Sequence, residues 1–62
     1  MKEFITLHNF EDGRLVLMRI SLIRFIYVNA DDGLTVIDYC DDCSFTVRET
    51  FEEIAELLRD SY

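Results

Sequence analysis

The sequence holds no proline and no tryptophan, only two glycines, two cysteines and one histidine, and six basic residues against thirteen acids. Each shortage excludes something. Without proline, and with half of its residues apolar, the chain has neither the composition of a stiff linker nor that of a disordered tail. A net charge of −7 opposes indiscriminate binding to DNA, RNA or anionic lipid. Long apolar runs are missing as well: Arg19 and Arg24 interrupt the best of them, and Lys2 and Glu3 stand where a signal peptide would need an unbroken apolar stretch. The reading that follows is a single domain spanning residues 1–62, cytoplasmic, with no membrane insertion and no direct nucleic-acid partner.

What is present is a series of short strands and one helix. Phe4–His8 is β-branched and aromatic and runs into Glu11-Asp12-Gly13, where Asp-Gly supplies the positive φ of a hairpin turn. Arg14–Met18 forms the second strand. Ile20–Asn29 forms a third, entered through a helical turn at Ile20–Ile23 and closed by the Asp-Gly turn at Asp32-Gly33. Leu34–Cys40 and Cys43–Arg48 complete the strands, the last alternating with period two. Thr50-Phe51-Glu52-Glu53 fits a capping box, and Phe51, Ile54, Ala55, Leu57 and Leu58 fall on one helical stripe. The expected architecture is α+β: a small antiparallel five-stranded sheet or partly open barrel followed by one C-terminal helix (β-β-β-β-β-α), without internal repeats.

The apolar content exceeds what this arrangement can cover. A domain of this size buries only about 60% of the surface its unfolded chain exposes. In the third strand Ile23, Phe25 and Tyr27 point one way while Leu22, Ile26 and Val28 point the other, with Arg24 among them; in the second, Leu15 and Leu17 oppose Val16 and Met18. A helix of about ten residues, about 15 Å long, covers one face of such a sheet. The sequence therefore predicts a homo-oligomer, a dimer or higher, in which Val16, Met18, Leu22, Ile26 and Val28 form the interface.

Chemistry-bearing motifs are scarce. Cys40-Asp41-Asp42-Cys43 has redox or half-zinc spacing, but two aspartates oppose thiolate formation and the only histidine, His8, is far away in sequence. The favoured reading is two thiols flanking a hairpin turn, with disulfide formation and a four-sulfur zinc site across a dimer axis as its alternatives. No phosphate loop, zinc-protease motif or serine or cysteine nucleophile with a neighbouring base is present, so the expectation is no enzyme, no cofactor and no metal. The arginines are more informative. Arg14, Arg19, Arg24 and Arg48 lie on strands or strand ends, and guanidinium groups doubled by symmetry can hold a phosphate-bearing, nucleotide-like ligand, with Tyr27 or Tyr39 stacking on a base. The competing reading pairs them with cross-strand carboxylates.

Ile5-Thr6-Leu7-His8-Asn9, Gly13, Ile20-x-x-Ile23-x-x-Ile26, Thr35-Val36-Ile37 and Phe45-Thr46-Val47-Arg48-Glu49-Thr50 before Glu52-Glu53-Ile54 resemble the FlbD/SwrD family of short flagellar and swarming-motility proteins. The resemblance implies this fold and an accessory role in bacterial flagellar motility; the Cys40–Cys43 segment departs from the family's Asn-Gly turn. By type alone the chain also looks like small phage-encoded inhibitors of bacterial defence, which act by stoichiometric binding in an infected bacterial cell. The expectation is a non-enzymatic oligomer that sequesters a nucleotide-like ligand or masks the surface of a host protein, with the flagellar role as alternative.

Overall fold

A computed structural model describes residues 3–60. The order is β1 (Phe4–His8), β2 (Leu15–Arg19), a 3-10 turn (Ile20–Leu22), β3 (Phe25–Val28), β4 (Thr35–Cys40), β5 (Cys43–Val47) and α1 (Phe51–Arg59). The α+β class and the element order match the sequence reading. The single five-stranded sheet does not form: β1 and β2 make a two-stranded antiparallel sheet, and β3, β4 and β5 make a three-stranded one in that order. The third strand is also shorter than its apolar run, because Ile20–Leu22 turn before the chain extends again.

Backbone hydrogen bonds join the two sheets around Asn9 and Val47. Asn9 bridges Val47, the Phe10 amide donates to the Thr46 carbonyl at 3.0 Å, and the Arg48 amide donates to the His8 carbonyl at 2.9 Å. Beside this joint lies a latch between residues 41 apart in sequence: Glu49 accepts from the His8 amide at 2.8 Å through Oε1 and from the His8 ring Nδ1 at 2.6 Å through Oε2. A carboxylate only accepts, so Nδ1 carries the proton. Burial of the Glu49 carboxyl opposes its charge, but the bonds from the His8 ring and backbone outweigh it and hold the carboxyl below its ordinary range.

The two hairpin turns share one structure, and here the expectation of no repeat is corrected. Asn9 and Asn29 each accept, through the side chain, from the amide two residues on; Asp12 and Asp32 do the same from Arg14 and Leu34, all at 2.9 Å. Gly13 and Gly33 both hold positive φ and donate back to Asn9 and Asn29. Asn-x-acid-Asp-Gly is thus used twice at a spacing of twenty residues. Side-chain acceptors stabilise these loops, which are wider than the two-residue turns that Asp-Gly alone suggests.

The core lies between both sheets and the helix. Ile5, Leu7, Met18, Ile37, Val47 and Ile54 are buried together, with Ile20, Ile23, Ile26, Phe45, Leu57 and Leu58 packed around them. The helix begins as the sequence predicts: Thr50 accepts from the Glu53 amide at 3.1 Å, and the Glu53 side chain accepts from the Thr50 amide at 3.0 Å. No helix among the described residues is long and apolar enough to cross a membrane.

Candidate functional site

Six exposed apolar side chains fall within one stretch: Leu15 and Leu17 on β2, Leu22 in the 3-10 turn, and Phe25, Tyr27 and Val28 on or at the end of β3. Leu15, Leu17 and Phe25 each keep more than 60% of their surface in contact with solvent. Register explains the clustering. Opposite β1, Val16 faces Leu7 and Met18 faces Ile5, so both turn to the core and Leu15 and Leu17 turn out. Opposite β4, Ile26 faces Ile37 toward the core, whereas Phe25 and Tyr27 share the other face with Asp38 and Val36.

This corrects the predicted interface. Met18 is a core residue, and Val16 and Ile26 are half-buried, the latter packed on the core. Of the five residues expected at an interface, Leu22 and Val28 remain exposed; Leu15, Leu17, Phe25 and Tyr27 supply the rest of the apolar surface. In β2 both parities read as apolar, and only pairing with β1 distinguishes them.

Each strand of this stretch is also the end strand of its sheet. Residues 14–28 contain three arginines and no acid, so all thirteen acids lie elsewhere in the chain. Beside β3 runs a groove of about 280 Å³ lined by Ile23, Ile26, Phe51, Ile54, Ala55 and Leu58, with Arg24 at its margin. The apolar stripe of α1 forms one wall and the inward residues of β3 the other.

The arginines do not converge within one chain. Arg24 is held by carboxylates: Nη1 to Asp41 at 2.8 Å, and Nη2 and Nε to Asp38 at 2.9 and 3.0 Å. The hydrogen bonds to Asp41 and then Asp38 raise its pKa above the ordinary arginine value. Its guanidinium also lies 5.6 Å from the Phe25 ring centre. Arg14 is 3.6 Å from Asp12 on the first turn. Arg48 donates from Nε to the Phe10 carbonyl at 3.1 Å and lies over Gly13, where an added Cβ would come within 2.9 Å of Nη1. Arg19 stands over the Phe4 ring at 5.0 Å, without a carboxylate partner among the described residues. It borders an open depression of about 480 Å³ lined mainly by Phe4, Leu17, Met18, Leu22, Tyr39 and Phe45. Tyr39 lines that depression and packs edge-on against Phe45 with ring centres 5.9 Å apart, and Tyr27 is exposed on β3.

Cys40 and Cys43 are joined as a disulfide across the Asp41-Asp42 turn, in place of the two free thiols that were favoured. Asp42 takes φ of 63°, a left-handed conformation that aspartate tolerates. No cluster of three or more metal-ligating side chains occurs among the described residues. No protein-family model matches the chain, and neither does any curated protein or solved structure.

Proposed function

We propose that this chain is a non-enzymatic, self-associating binding module that acts stoichiometrically by covering a protein surface. The observation that carries the proposal is the concentration of exposed apolar side chains on residues 15–28, along the two end strands. Scattered exposed leucines are ordinary on any surface, but sets of exposed apolar side chains along two edge strands fit interaction faces. The absence of acids from residues 14–28 supports the same reading, since association there avoids the repulsion that the chain's net negative charge imposes elsewhere. A cytoplasmic setting, and the roles of a defence inhibitor or a flagellar accessory protein, are compatible with such a module.

The nucleotide-sequestering version ranks second. Asp38 and Asp41 already occupy Arg24, and the cation that favours an anionic ligand is Arg19 beside the aromatic-lined depression. Sedimentation velocity from micromolar to millimolar protein tests the main proposal: a rising sedimentation coefficient is expected, and a monomer throughout would refute it. A thermal-shift panel of nucleotides tests the second reading. A rise in Tm that Arg19→Ala abolishes would favour it over surface masking.

A further inference from the structure

We infer that two copies of this chain join through β3, edge to edge and antiparallel, about a two-fold axis at Tyr27. The inference rests on the self-association proposed above and names its seam. Asn29 donates to the Leu34 carbonyl at 2.8 Å, at the end of the β3–β4 ladder. By alternation, Tyr27 and Phe25 direct their backbone groups to β4, and Ile26 and Val28 direct theirs away from it. An isologous antiparallel partner must set outward residues against outward residues. With the axis at Tyr27, Ile26 of each copy opposes Val28 of the other, and the outward amide and carbonyl of both residues are used.

Side chains fit the same register. Tyr27 meets its own symmetry mate, with Phe25 diagonal to it, on a face where both rings are about half exposed or more. On the opposite face, Val28 of the second copy falls beside Ile26 and extends the apolar groove between β3 and α1. Arg24 lies outside this pairing, its amide bonded to the Asp38 carbonyl and its guanidinium held by Asp38 and Asp41. The other end strand lacks such an apolar match. Pairing β2 with itself, outward residue against outward residue, would set Arg19 against Leu15 or Leu17 of the second copy, with no acid anywhere in residues 14–28 to balance it. β3 is short, at four residues, but Phe25–Val28 contain neither the proline nor the charge that commonly blocks edge pairing.

The test is Val28→Pro, with Val28→Thr as control. The Val28 amide faces away from β4, so proline removes no bond of the monomer's own ladder and suits an edge position. It does delete two symmetry-related hydrogen bonds of the seam. Dimer Kd from sedimentation equilibrium should rise at least about thirtyfold in Val28→Pro and change little in Val28→Thr. Backbone hydrogen exchange of the native chain gives a readout independent of any variant: Ile26 and Val28 amides should gain protection as concentration rises. A native chain that is monomeric at every concentration would overturn self-association itself. A native oligomer in which those two amides exchange freely, or a folded Val28→Pro that assembles unchanged, would overturn this seam and leave self-association standing.

Discussion

The His8–Glu49 latch gives the sharpest stability prediction, because it closes the joint between two sheets that are otherwise separate ladders. Replacing Glu49 by glutamine keeps the size and one acceptor oxygen but removes the charge. Hydrogen bonds to ionised groups contribute about 1.5–3 kcal/mol and neutral ones about 0.5–1.5. Two bonds are affected, and the His8 side chain is about half exposed, which weakens the ring bond. The expected loss is about 1.5 kcal/mol at neutral pH, a substantial part of the few kcal/mol available to a domain of this size. In a thermal melt that corresponds to a Tm lower by about 6–12 °C. The pH dependence follows from the depressed carboxyl pKa of Glu49. Its contribution is complete above the unfolded value of about 4.3 and is lost as pH falls through the lower folded value. Urea denaturation followed by far-UV circular dichroism should therefore show a gap between native chain and Glu49→Gln at neutral pH that closes in acid. Equal stabilities at neutral pH, or a gap of the same size in acid, would refute the reasoning.

The duplicated turns supply a second comparison. Gly13→Ala and Gly33→Ala both place a Cβ at positive φ, at a cost of about 1–2 kcal/mol, but only at Gly13 does it meet the Arg48 guanidinium. Gly13→Ala should be the more destabilising in urea melts, and Arg48→Ala should remove the difference. The Cys40–Cys43 disulfide closes a loop so short that chain entropy gives it about 2 kcal/mol. The Cys40→Ser/Cys43→Ser chain should unfold at correspondingly lower urea and lose its sensitivity to reductant, while a native chain indifferent to reductant would count against the bridge.

Local signals were legible in the sequence and distant ones were not. The capping box at Thr50 was readable because its partners lie three residues apart, and the helix stripe followed from the same turn geometry. Strand positions came within a residue or so where polar turns bounded them, but β3 was overextended because Ile20-Ser21-Leu22 is as apolar as the strand it precedes. The inward face of β2 could not be chosen, since Leu15, Val16, Leu17 and Met18 are all apolar and only β1 decides which enter the core. Arg24 stood out because it interrupts the most apolar run; it precedes β3, and nothing local distinguished a phosphate from Asp38 and Asp41 as its partner. Glu49 gave no signal at all. A carboxylate that binds a histidine 41 residues away looks like any other acid before a helix.

The joint at Asn9 and Val47 also sets the order of events in folding. Each hairpin brings together residues only a few positions apart, whereas this bridge encloses most of the chain between its two ends. Loop-closure entropy makes such a contact slow to form and favours its appearance after the local ladders. Interactions made late are largely absent from the transition state, so weakening them changes the rate of opening far more than the rate of folding. The link between the sheets is then the kinetic clasp of the molecule, which governs how long a folded copy stays closed.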